Sequence, residues 1–284
     1  MIKIIVSALC CFLLVSCSSS STNSDPAADT VLTGVFLDSA VEGVSYRTDT
    51  ESGITNAAGE YNYIDGESVT FSIGTLDFPT VVAGPVVTPV EMSSSENIFS
   101  NISVNVARLL QSLDEDGDLN NGIQISEQAA SSAVPIDFNV EPDVFSENTD
   151  VVNLVANSGS VNTQLVPASD ALDHLEQTIV DSGLGRITGD TIDTLFDKRL
   201  FHSSREEGFI ILMSDGTFSG TWEEEPIAAT WEMRDDFFCR VLTEFHNTAS
   251  TGIEDCQLWT RIGNQVRGQR DRGNGTTFFY NIIE

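Results

Sequence analysis

Residues 209–245, FIILMSDGTFSGTWEEEPIAATWEMRDDFFCRVLTEF, run strand, turn, strand, turn, strand, turn, strand. Apolar residues alternate or cluster over Phe209–Met213, Thr217–Trp222, Ala228–Met233 and Phe237–Phe245, the pattern of strands with a buried side. Between them stand Ser214-Asp215-Gly216, the charged tip Glu223-Glu224-Glu225 and Asp235-Asp236. Short polar residues and glycine are the chemistry of tight hairpins. Downstream, Asp255–Ile262, Gln265–Arg270 and Thr276–Ile282 continue the series through Gly263-Asn264 and the expected hairpin turn Gly273-Asn274-Gly275. Sequential hairpins predict an antiparallel meander or small barrel. Of the 23 aromatic residues, 13 fall in residues 187–284, enough for a core separate from the rest of the chain.

Upstream the reading changes. Residues 31–92 carry short strands between Gly, Asp and Asn turns, such as VLTGVFLD, GEYNYID and ESVTFSIGTLDF. Residues 93–182 turn helical: Ile98, Ile102, Val106, Leu109, Leu110 and Leu113 recur at three- and four-residue spacing, with Ser94 or Ser95 expected to cap the helix. Further helices are expected over Ser126–Ala133 and over Ala168–Val180. The expected fold is therefore mostly β with a helical middle segment: N-terminal β-strands, helical segment with an acidic loop, and C-terminal antiparallel β-meander or small barrel.

The chain has 284 residues and a net charge of −30, from 43 acidic and 13 basic residues. Nucleic acid and anionic lipid surfaces both demand a basic footprint, so binding to either through surface charge is excluded. Residues 25–185 hold 26 acidic residues against two basic ones, while residues 186–284 hold 17 against ten. The histidines, His174, His202 and His246, lie far apart in sequence, and no Gly-x-Ser-x-Gly, His-Glu-x-x-His or phosphate-binding glycine loop occurs.

The N-terminus reads as an address. Lys3 precedes a largely apolar run of twelve residues, Ile4 to Val15, then Ser16 and Cys17. That is the layout of a secretory signal peptide over residues 1–16, and the run is shorter than the ~20 residues a spanning helix needs. Leu14-Val15-Ser16-Cys17 resembles the lipobox of bacterial lipoproteins. The resemblance implies cleavage before Cys17, acylation of Cys17 and, with Ser18 following, export to the Gram-negative outer membrane. Residues 17–30 then form the lipidated cysteine and a flexible tether, whose thirteen small and polar residues 18–30 span about 20 Å.

Three further resemblances bear on the fold, and the first implies a β-sandwich over residues 31–92. The run Gly53-Ile54-Thr55-Asn56-Ala57-Ala58-Gly59-Glu60-Tyr61 with Gly66, Val69, Phe71, Ile73 and Gly74 resembles the transthyretin-like, carboxypeptidase-regulatory-type β-sandwich. The order NVARLLQSLDEDGDLNNGI followed by ASDALDHLEQ resembles a segment found behind such sandwiches in bacterial envelope proteins. The run WEMRDDFFCR…EDCQLW…RDRGNG resembles lipocalin-like C-terminal β-domains of uncharacterised secreted proteins.

Cysteine arithmetic follows from the address. Cys10 and Cys11 leave with the signal peptide and Cys17 takes lipid, so Cys239 and Cys256 remain as an even pair in an oxidising compartment and are expected to form a disulfide. By alternation Cys239 shares a face with Val241, and Cys256 with Leu258 and Ile262, which suggests side chains turned toward the core.

Asp114, Asp116, Asp118 and Asn120 offer alternate oxygens directly after a helix, and Ca²⁺ takes six to eight oxygen ligands. An EF-hand register started at Ser112 sets Gly117 at the turn but puts Ile123 where the bidentate Glu belongs, so the loop is not an EF-hand. A weak extracellular calcium site with Glu115, Gln124 or a carbonyl completing the shell is one reading; a solvated Asp- and Gly-rich turn is the other.

The first functional expectation is a non-enzymatic, lipid-anchored envelope protein serving adhesion, assembly or envelope interaction, with an envelope protein or surface partner. The alternative is a small apolar ligand held in the C-terminal barrel, for which an open cavity lined by two or more of Trp222, Trp231 and Trp259 is the diagnostic feature.

Overall fold

A computed structural model of the chain describes residues 30–203, 208–245, 248–249 and 252–283. The expected signal peptide, Cys17 and all but the last residue of the tether lie outside the described residues. Strand exceeds helix, 38% to 24%, and the helices fall mainly in the middle of the chain, as expected.

Val31–Phe36 pairs antiparallel with Glu60–Ile64 and parallel with Val86–Val87. A second sheet sets Ser45–Arg47 between Ser52–Ile54 and Ser68–Ile73, and Ser68–Ile73 also takes Leu76–Asp77 and Val81–Val82. The sheets meet through aromatic rings. Phe36 stacks on Phe71 at 4.3 Å, and Tyr61 meets Phe71 edge-on at 5.1 Å. Gly34 makes room for this packing: a Cβ there would fall 2.2 Å from the Gly84 carbonyl oxygen and 2.7 Å from the Tyr61 ring. The Tyr61 hydroxyl donates to that same oxygen at 2.7 Å, so the buried phenol is satisfied.

The helix Asn101–Leu113 begins later than expected, with Ser100 as its cap, accepting from Ser103 N at 3.1 Å. Residues 93–100 instead make consecutive turns, Glu96 takes a left-handed φ of 46°, and Ile98 is left to pack against the barrel. Eleven of the thirteen helix residues are buried, so this helix is central rather than superficial. Its polar side chains bind loop carbonyls: Asn105 donates to Phe138 and Val140, and Arg108 to Val166 and Pro142. Glu127–Ser132 and Ala168–Asp181 lie where helices were expected. Pro142–Glu147 and Thr149–Asn157 were not foreseen. One apolar cluster runs from Phe36 and Phe71 through Leu109 and Leu110 to Phe145 and Val155.

The C-terminal region is a closed antiparallel barrel of eight strands. In order they are Arg199–His202, Phe209–Leu212, Thr217–Trp222, Glu225–Arg234, Phe237–Phe245, Asp255–Ile262, Gln265–Gln269 and Thr277–Ile283. Each bonds to the next, and the first closes on the last with Phe201 opposite Asn281. The turns at Glu223-Glu224 and Asp235-Asp236 have positive φ at both residues, the twist that two-residue hairpins require. At the last hairpin the bend is wider than the expected Gly273-Asn274-Gly275 turn, because it starts at Arg270 and puts Asp271 and Arg272 in left-handed conformation.

Alternation gives the barrel two faces. Phe278, Tyr280 and Ile282 belong to the interior cluster, whereas Phe279 points outward and meets Phe99 at 5.0 Å. Beside it Ile262 joins Ile98, Leu175 and Ile179, and Arg267 pairs with Glu176. The barrel is thereby seated on the helices Asn101–Leu113 and Ala168–Asp181.

Candidate functional site

The two ends of the barrel differ. At the end holding the Ser214-Asp215-Gly216 and Asp235-Asp236 turns the interior is solid: Phe238 stacks on Trp259 at 4.0 Å and on Trp231 at 5.5 Å. The 3-10 turn Ile192–Leu195 adds buried Ile192 and Leu195 to the same cluster.

At the opposite end the interior opens into a cavity of about 420 Å³. Ile210, Trp222, Ile227, Leu242 and Phe278 form its apolar wall, while His202, Arg240, Arg270 and Tyr280 bring polar groups. His202 sits among rings, 4.9 Å from Trp222 and 5.6 Å from Tyr280. Of the three tryptophans only Trp222 lines this cavity; Trp259 is core, and Trp231 lies against Phe238. The diagnostic feature is therefore met in its cavity and not in its second tryptophan.

Arg240 owes its place to the strand period: on Phe237–Phe245 the interior residues are Phe238, Arg240 and Leu242. Asp255 stands directly opposite Arg240 in the register. One oxygen, Asp255 Oδ2, lies 3.6 Å from the Arg240 guanidinium and 3.1 Å from that of Arg270, and accepts from Gln257 Nε2 at 2.5 Å. Gln257 Oε1 in turn accepts from Trp259 Nε1 at 2.7 Å, so a polar ladder runs from the core to the cavity. Two guanidinium groups share one carboxylate here, and Arg240 Nε is buried with no hydrogen-bond partner. Burial pushes the Tyr280 phenol up, while Arg240 and Arg270 pull the other way.

Cys239 and Cys256 are bonded, as expected, and stand directly opposite each other between neighbouring strands. Their orientation differs from expectation. Phe238 and Trp259 occupy the interior positions, so the cysteines, one and three residues away, are on the outer face. The grouping of Cys239 with Val241 and of Cys256 with Ile262 holds; both faces of these strands are covered, so parity alone did not say which was inside.

The acidic loop is folded on itself. Asp114 is buried, with Oδ1 accepting from Gln124 N at 2.8 Å, and burial raises its carboxyl. Asp116 accepts from Asp118 N at 2.9 Å and from Asn121 Nδ2 at 2.9 Å, which holds its carboxyl below the usual range. Asp118 accepts from Asn120 N at 3.2 Å and Nδ2 at 2.8 Å. Among the described residues no three His, Cys, Asp or Glu side chains are grouped to hold a metal ion.

A second polar cluster joins the sandwich to the helices. Asp38 is fully buried against Gln111, and burial pushes its carboxyl up to about 7. The neighbouring Ser39 hydroxyl donates to the Leu119 carbonyl at 2.7 Å and lies 3.0 Å from His174 Nε2. With its proton on Leu119, Ser39 Oγ accepts from the imidazole, the reverse of the direction that would activate a nucleophile.

No family model, curated protein or solved structure matches this chain. The barrel cavity therefore has to be read from its own residues. Arg240, Arg270, Tyr280 and His202 were not among the residues expected to form a site. For Arg240 a signal existed, an arginine at an apolar-face position between Phe238 and Leu242.

Proposed function

We propose that this protein is a lipid-anchored envelope protein whose C-terminal barrel takes up a small, largely apolar ligand. The cavity carries the reading. Its volume of about 420 Å³ is in the range of small-molecule sites, and it has the composition such sites share, an apolar and aromatic wall with a few convergent polar groups. A barrel built only for stability would pack both ends as it packs the end around Phe238.

Binding rather than catalysis is the role assigned. The lipobox-like Leu14-Val15-Ser16-Cys17 supports anchorage at the outer membrane through Cys17, with residues 18–30 as the tether. Residual repulsion between the acidic body and anionic headgroups falls off over a Debye length of about 8–10 Å, shorter than the tether's span. Envelope adhesion or assembly is the second reading, favoured by Ile54, 66% exposed on the sheet-edge strand Ser52–Ile54, and by Val82, 73% exposed. An open sheet edge with exposed apolar residues is a place where another chain can add a strand.

The test is binding of the apolar fluorophore N-phenyl-1-naphthylamine to the full chain. Saturable binding is expected, weakened strongly when Ile227→Trp fills the cavity. Equal binding by wild type and Ile227→Trp would place the dye elsewhere and remove the support for a barrel ligand.

A further inference from the structure

The cavity wall carries a charge imbalance that a purely apolar ligand would leave unanswered. Among the described residues, Arg240 and Arg270 face one carboxylate, Asp255, and they engage the same oxygen of it. At 3.6 Å the Arg240 contact is a loose ion pair, and Asp255 Oδ2 is further occupied by Gln257. The Arg240 side chain is only 13% exposed and its Nε has no partner. Its guanidinium also lies 6.0 Å from the centre of the Phe218 ring. A desolvated guanidinium with an unused donor is costly in an empty site and strongly attractive to an anion. Its planar fork suits a carboxylate, which accepts two parallel N–H bonds.

We propose that the ligand of the barrel is an amphipathic monocarboxylate, its carboxylate bound by Arg240 with Arg270 in support and its apolar body laid against Ile210, Ile227, Leu242 and Trp222. This inference rests on the barrel-ligand reading above. The surrounding surface makes selectivity matter. In a chain of net charge −30 the long-range field disfavours anions, so the local guanidinium must supply the recognition. Asp255 keeps Arg240 aligned before the ligand arrives, and the ligand then completes the second half of the fork.

The experiment compares decanoate with 1-decanol by titration calorimetry on the full chain, in wild type and in Arg240→Gln. Decanoate is expected to bind about tenfold or more tightly than decanol to wild type, as a charge-assisted pair adds to a shared apolar contact. Arg240→Gln is expected to erase that preference while decanol binding stays within about twofold. Should Arg240→Gln fail to fold, Arg240→Lys keeps the charge and loses the fork, and an intermediate preference is expected. Equal binding of decanoate and decanol by wild type overturns the carboxylate inference and leaves the barrel reading standing. Retention of the full preference in Arg240→Gln overturns the assignment to Arg240. Binding of neither compound overturns the barrel reading together with the inference built on it.

Discussion

Gln111 Nε2 lies 3.2 and 3.1 Å from the two oxygens of Asp38, a carboxyl group fully buried beside the helix Asn101–Leu113. The same amide donates to the Ala171 carbonyl at 3.1 Å, so one side chain ties the sandwich to the helix Ala168–Asp181. Because burial holds the Asp38 carboxyl at about 7 in the folded protein, against 3.8 ordinarily, the folded state keeps a proton that the unfolded chain loses.

Stability should therefore depend on pH through Asp38. The contribution is full below the ordinary value and is lost as pH rises through about 7. The slope in between reaches about 1.4 kcal/mol per pH unit. His174, lowered by burial, acts in the opposite direction as pH falls through its ordinary value, so the variant isolates the effect. Asp38→Asn should melt higher than wild type at pH 8 and show a flatter pH profile. Parallel profiles of Tm against pH for the two proteins would exclude a titrating Asp38.

The disulfide should hold one of the two shortest seams of the barrel, the other being that between Arg199–His202 and Phe209–Leu212. Phe237–Phe245 and Asp255–Ile262 pair only through Phe238–Gln257, Cys239–Cys256 and Arg240–Asp255, with the bridge at the middle pair. Loss of a cross-link closing a loop of this length costs about 3 kcal/mol in the chain-entropy model. Cys239→Ala with Cys256→Ala should lower unfolding free energy by that order in urea titration. Thiol titration of the unfolded, unreduced wild type should find neither of these cysteines reactive.

Contact between barrel and helices should depend on Glu176. Arg267 is nearly buried and its remaining acceptors are Gln269 at 3.0 Å and Thr277 at 3.4 Å, both neutral. Removing the carboxylate leaves a buried guanidinium short of its counter-charge, a cost of about 2–3 kcal/mol. Glu176→Ala should be destabilised by that amount, and Glu176→Ala combined with Arg267→Met by clearly less than the sum of the single changes. Additive effects in this double-mutant cycle would show that the pair contributes nothing to docking.

The proposed anchor makes a separate prediction. Cys17→Ser should take up no labelled fatty acid and should leave the membrane fraction, while folding of residues 31–283 is unaffected. Continued labelling of Cys17→Ser would rule out the lipobox assignment.

Much of the barrel was legible because its turns announce themselves: Asp235-Asp236 and Glu223-Glu224 break apolar runs at the spacing a meander needs, and the strands Thr217–Trp222, Phe237–Phe245 and Asp255–Ile262 lie where alternation put them. The strand Arg199–His202 escaped notice because it is short and has one strongly buried residue, Leu200. The helices at Pro142 and Thr149 were signalled by a proline at a first helical position and by Asn148, which caps by accepting from Asp150 N at 2.8 Å. The site was the least legible part. A cavity is a difference between what fills one end of the barrel and what fills the other, and that depends on pairings between strands distant in sequence, such as Phe201 with Asn281.

Closure by the first and last strands also sets an order of events. Every other seam of the meander joins neighbours in sequence, but Arg199–His202 waits for Thr277–Ile283, about eighty residues later. Local hairpins form early and the distant pairing pays its loop entropy last. A nascent chain emerging N-terminus first can thus complete the sandwich and its helices while the barrel is still an open sheet. Tyr280 and Phe278 arrive with the closing strand, so the binding chamber comes into existence only at the final step, and a chain stopped before Thr277 has walls without a room.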